Sequence, residues 1–221
     1  MPNIRLQDVT TVINGTSRYN NNQYDICHVE MLLVTEEPLP PEANWYVPKQ
    51  DNPTIPPAVA EIFKIENLQM YPQHESTLTS GLDDAKQQAI NGNLEGVLQG
   101  MSKLMLLALL KKVSLNPIPG AANTYSLQYD YKLFPLPNMQ VPTFEFYVEL
   151  PFDTLTVAQG GRVQCTVVAP IDSTIEPEAT KGIISTGGTI EEQPLRADRS
   201  RRPIVNFEYQ NDPLFVVRYH Y

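Results

Sequence analysis

Apolar and polar positions alternate most cleanly over residues 144–170. Phe144, Phe146 and Val148 interleave with Glu145, Tyr147 and Glu149, the period of a strand with one face in a core. After a corner at Pro151, Leu155 and Val157 lead into Gln159-Gly160-Gly161. Beyond the glycines Val163, Cys165 and Val167 alternate with Arg162, Gln164 and Thr166. Gly-Gly supplies the positive φ angles of a tight turn, so the spacing predicts a hairpin. The same period predicts strands over 4–13 and 24–34, linked by a loop with Asn14-Gly15 and Asn20-Asn21-Asn22. It predicts another over 124–134, with Tyr125, Leu127, Tyr129 and Tyr131 on one face, and a candidate over 60–71. Strands over 205–209 and 214–219, turned by Asn211-Asp212-Pro213, close the chain.

Two stretches depart from this period. Residues 36–58 hold seven prolines around Trp45 and Tyr46. Such a run suits neither a helix nor a central strand, so it reads as an extended arm with Trp45 and Tyr46 as its partner-binding anchor. Its PxxP spacing also fits an SH3-type ligand. The second stretch is a helical insertion over 80–115, with one long helix at 82–113. Ser80 and Asp83 form its capping box, Lys111 and Lys112 suit its C-terminal end, and Asn116-Pro117 stops it. Ala85, Ala89, Gly92, Gly96 and Gly100 line one ridge as a helix-packing interface, although Gly92 and Gly96 can equally mark a break between two helices. The run 104–110 is apolar all round and calls for burial on every side, in a core, against a subunit or against a membrane surface. Seven clean apolar residues fall far short of the roughly 20 that span a bilayer.

The 221 residues can bury a real core, and the expected fold is mainly β: one antiparallel β-sandwich or jelly-roll-like domain interrupted by the helical excursion. A net charge of −9 makes nucleic acid an unlikely partner for the surface as a whole. The opening MPNIRLQDVT lacks an apolar signal region, so no export is expected. Cys27 and Cys165 lie in strand-like runs and read as buried free thiols. His28, His74 and His220 stand in separate segments, so no metal or cofactor is expected. No nucleophile elbow, Walker loop or dinucleotide turn occurs, no catalytic residue is assigned, and the chain does not read as an enzyme.

One dense charge feature remains. The Arg-rich loop 195–202 carries Arg196, Arg199, Arg201 and Arg202. Arginine forks suit carboxylate or phosphate, so the loop reads as a solvated turn, a dock for an acidic protein patch, or a phosphate contact. The stretch LPFDTLTVAQGGRVQCTVVAP, with short Asn/Gln/Thr-rich strands and proline-laden arms, resembles the sandwiches of virus particles. The style is similar to auxiliary or decoration capsid proteins of tailed bacteriophages, over residues 124–221. That resemblance implies a non-enzymatic virion structural protein that stabilises contacts between coat subunits. It further implies a homo-oligomer, capsid partners and a place in the virion. A carbohydrate- or receptor-binding β module of a tail, and a hydrolase on a β scaffold, are the alternatives.

Overall fold

The computed structural model describes residues 2–51, 53, 71–82, 84–149, 152–184, 189–191, 195–197, 201–210 and 213–221. The chain opens with β1 (Asn3–Asn14) and β2 (Asp25–Thr35), antiparallel from Ile4↔Thr35 to Asn14↔Ile26. A 3-10 turn, Thr16–Tyr19, lies between them, with Asn21 and Asn22 at positive φ (58° and 59°). Asparagine tolerates that region, which is why an Asn-rich loop can turn the chain here.

On the far side of β2 lies β7 (Thr124–Leu133), whose Leu127, Tyr129, Tyr131 and Leu133 are buried as the alternation requires. On the far side of β1 lies β9 (Thr156–Val168), and this pair is parallel. With β6 (Asn116–Pro117), β13 (Leu195–Ala197) and β14 (Arg202–Tyr209) these strands make a seven-stranded sheet, ordered β13-β14-β9-β1-β2-β7-β6. The second sheet is built on β15 (Pro213–His220). It pairs β8 (Thr143–Glu149) along one edge, and β10 (Thr174–Ile175) and β11 (Lys181–Ile184) along the other. β12 (Thr189–Glu191) pairs β11. Val9, Cys27, Tyr131 and Cys165 of the first sheet share one buried cluster with Phe144, Phe146, Val217 and Tyr219 of the second. The protein is therefore mainly β, a sandwich with a helical excursion.

Three strand expectations change. Gly160-Gly161 does not turn a hairpin; it bulges one long strand. Two steps along β1, Ile4 to Leu6, are matched by five along β9, Val157 to Arg162. Gly160 sits at φ +77°, and a Cβ on Gly161 would lie 2.6 Å from the Ile4 carbonyl oxygen. Both positions need glycine, the first for its φ and the second for room. The closing strands are not a hairpin either, because β14 pairs β9 while β15 pairs β8 in the other sheet. Lastly, the β1–β9 pair makes the domain not wholly antiparallel. A parallel pair joins segments far apart in sequence, which strand periodicity alone does not encode.

The helical insertion is also not one helix. It comprises α1 (Glu75–Thr79), α2 (Ala85–Ile90) and α3 (Leu94–Leu109), and the chain then enters β5 (Leu110–Val113). Asn91-Gly92-Asn93 makes the break: Gly92 takes φ +71°, and the Asn93 side chain accepts from Gly96 N at 3.2 Å as a new N-cap. Lys111 and Lys112 consequently lie on a strand, not at a helix end. β5 pairs β3 (Trp45–Pro48), which also pairs β4 (Gln73–His74), giving a small third sheet.

Candidate functional site

The anchor proposed for the proline-rich arm folds into its own chain. Trp45 is 1% exposed, its ring edge-on to Phe152 at 5.5 Å and to His74 at 5.3 Å, with Nε1 donating to the Asp153 carbonyl at 3.4 Å. Pro48 is tolerated at the end of β3 because β4 pairs only Trp45 and Tyr46, so the side without an N–H meets no ladder there. Trp45 is thus a core residue and no contact for a partner, and the stretch around it holds a central strand. Tyr46 is only half-buried.

The described ends of the Arg-rich loop pair with each other, β13 against β14 from Leu195↔Ile204 to Ala197↔Arg202. Arg202 faces inward, with Nη2 donating to the Ile13 carbonyl at 2.6 Å and Nε to the Ala169 carbonyl at 2.9 Å. It pins the start of β14 to neighbouring backbone and is not offered to a partner. Burial holds its guanidinium below the usual value. Arg201 is exposed and lies 3.4 Å from Asp172. The Arg196 side chain and Arg199 lie outside the described residues.

The small-residue ridge is divided by the helix break. Ala89 is on α2, Gly92 is in the link, and Gly96 and Gly100 are on α3. The Ala85 side chain lies outside the described residues. At Gly96 a Cβ would meet Gln88 Cγ at 3.1 Å, so this glycine serves the packing of α2 on α3 within one chain. Gly100 is buried. The run 104–110 is not buried all round: Leu109 and Leu110 are interior, whereas Leu104 is 55% exposed. Met101 at 43% and Leu94 at 74% are exposed on the same helix, and Ile90, the last residue of α2, is 69% exposed. From sequence, the run 104–110 calls for cover on every side, by a core, a subunit or a membrane surface, and the glycines for the helix-packing interface, so this one-sided face was not singled out. The apolar spacing at 94, 97, 101, 104 and 108 was the available signal.

A second feature lies on the outer face of the second sheet, an open groove of about 800 Å³. Arg218 on β15 donates Nε to Glu145 Oε2 at 2.6 Å, and Tyr147 donates its hydroxyl to the other oxygen of Glu145. Arg218 Nη1 reaches Glu176 at 3.8 Å, and Glu176 meets His220 Nδ1 at 3.1 Å. Glu145 is a nearly covered carboxylate, its side chain 3% exposed, and Arg218 compensates its desolvation. The ionisable groups thus bind one another, while Glu178 and Lys181 line the rim. This arrangement can hold a polar ligand, but Glu145 already has both oxygens engaged and is poorly placed to move a proton.

Cys27 and Cys165 are buried free thiols, both pushed upward in pKa first of all by burial. Among the described residues no three His, Cys, Asp or Glu side chains gather as a metal would need, and no helix is long and apolar enough to cross a membrane. No family model, curated protein or solved structure matches the chain.

Proposed function

We propose that this protein is a non-enzymatic structural component of a larger assembly. More specifically, it is an auxiliary capsid protein of a bacteriophage that braces contacts between coat subunits. The observation that carries the reading is the apolar surface of Ile90, Leu94, Met101 and Leu104 on helices set outside the sandwich. Exposed apolar side chains gathered on helices mark association surfaces more often than they mark catalytic ones. The mutual pairing of Glu145, Arg218, Glu176 and His220 adds support, since these side chains are engaged with one another within the groove.

Mass spectrometry of purified particles, with cryo-electron microscopy, tests the reading. The chain should be recovered at a fixed ratio to the coat protein, its helical face against a neighbour. Recovery only from the soluble fraction of the lysate would overturn it. A second reading, a glycan- or receptor-binding module, is favoured by the half-buried Tyr147 beside Glu145 and Arg218 in the groove. Specific binding on a glycan array, lost in Arg218→Ala, would support that alternative.

A further inference from the structure

We propose that α3 is the contact through which two copies of this chain associate, antiparallel about a two-fold axis at Met101. The proposal names the partner of the apolar surface and rests on the association reading above.

At 3.6 residues per turn, Leu94, Val97, Met101, Leu104 and Ala108 fall on one stripe, spaced alternately by three and four residues. Leu98 and Met105 widen it, and no polar residue interrupts it. Residues 94–108 are centred on Met101. A two-fold axis there sets Met101 against its own copy and Leu98 against Leu104. It also sets Val97 against Met105, and Leu94 against Ala108. Each pairing joins a larger with a smaller side chain or two of equal size, which is what two helices packed face to face require. An isologous contact needs such self-complementarity, and a stripe symmetric about its own midpoint supplies it.

Charge points to the same occupant. The chain carries −9 overall, yet the ionisable residues of α2 and α3 are Lys86, Glu95 and Lys103 alone. Two acidic copies therefore meet least repulsion at this face. A membrane surface fits poorly. Lys103 turns away to donate to the Ser80 carbonyl at 2.7 Å, and Lys49, beside the end of the stripe, donates to the Ala108 carbonyl at 2.7 Å, so these two ammonium groups are engaged with backbone and not held out toward anionic lipid. The side chains available would bury a few hundred Å² per copy, less than the ~800 Å² of a standard interface. A contact of that size belongs with weak, reversible associations, to be followed across the micromolar range.

Light scattering after size exclusion, over loading concentrations spanning that range, gives the first readout. The wild-type mass should rise from 24.9 kDa toward twice that value. Leu104→Glu should stay monomeric with its melting temperature unchanged, because Leu104 is already exposed. Orientation is read by mixing a Leu94→Cys protein with an Ala108→Cys protein under mild oxidation, with Cys27 and Cys165 buried and silent. A 94–108 mixed disulfide is expected. Self-linked Leu94→Cys dimers in its place would overturn the antiparallel register. A wild-type monomer throughout, or flotation with phosphatidylcholine–phosphatidylserine vesicles, would overturn the second-copy assignment. Neither result would change the particle composition that decides the capsid reading, so the two failures are distinguishable.

Discussion

Two adjacent arginines do opposite things. Arg202 satisfies two backbone carbonyls, those of Ile13 and Ala169, at 2.6 and 2.9 Å. A charged donor to a partly buried carbonyl contributes about 1.5–3 kcal/mol each, reduced here by the remaining exposure of the side chain. Arg202→Ala should therefore lower stability by about 1–3 kcal/mol, read as a lower guanidinium midpoint. Arg201, exposed and 3.4 Å from Asp172, belongs to the class of surface pairs worth ~0–1 kcal/mol. Arg201→Gln should leave the midpoint almost unmoved, and equal losses in the two variants would contradict this account. Cys27 and Cys165 give a second test, because burial disfavours the thiolate that reacts. Ellman's reagent should find no thiol in the native protein and both in denaturant.

At the scale of elements, the bulge and the helical layer each make a measurable claim. A methyl group at residue 161 would press on the Ile4 carbonyl 2.6 Å away, backbone that cannot swing aside. A Cβ at residue 160 would meet nothing within 4 Å and would pay only the positive-φ penalty of about 1–2 kcal/mol. Gly161→Ala should thus cost the larger amount in urea unfolding, about 2–4 kcal/mol with β9 shifted against β1. In the helical layer Lys112 Nζ donates to Glu75 at 2.7 and 2.9 Å, and that bond is the first cause holding the Glu75 carboxyl below its ordinary 4.5. A depressed carboxyl stabilises the fold above its ordinary value, and that contribution fades as pH falls below it. Amides of α1 and β5 should therefore lose hydrogen-exchange protection below about pH 4.5, ahead of the sandwich. Lys112→Met should abolish that step. The strands were legible in the sequence because a half-buried strand imposes a period of two on its own residues, as Tyr129 and Tyr131 show. The bulge was not, since Gly-Gly serves a hairpin and a bulge equally well. Nor was the helix end at Leu109, because β5 exists only through its pairing with β3, 62 positions earlier between Pro48 and Leu110. Among the site residues, Trp45 and Arg202 were recognised as unusual but given to a partner. Whether a side chain turns inward depends on what the remote chain places beside it.

Across the whole molecule, the two sheets are tied at their interior by one carboxylate. Asp25, fully buried on β2, accepts from Ser17 N at 2.8 Å, from the Tyr219 hydroxyl at 2.7 Å and from the Tyr221 hydroxyl at 2.8 Å. Tyr219 belongs to the second sheet, so the clamp holds the C-terminal strand against the first. Each phenol must keep its proton to donate, and burial, first among the causes, raises the pKa of Tyr219 and Tyr221 above the ordinary 10. Tyr129 and Tyr131, also interior, are raised for the same leading reason. A group raised in the folded state stabilises that state below its unfolded pKa, and the benefit is lost as pH climbs past that value. Four such tyrosines acting together make the sandwich vulnerable to alkali. Titration at 295 nm, which reads phenol ionisation, tests this. The four raised phenols, Tyr129, Tyr131, Tyr219 and Tyr221, should appear only in one cooperative step well above pH 10, coincident with loss of the β circular-dichroism signal. Tyr219→Phe with Tyr221→Phe, which empties the clamp of its donors and leaves Asp25 buried with the Ser17 amide alone, should unfold at lower temperature near neutral pH. If these four ionised near the ordinary value of 10 with the β signal intact, the clamp and the packed interior around it would not exist in solution.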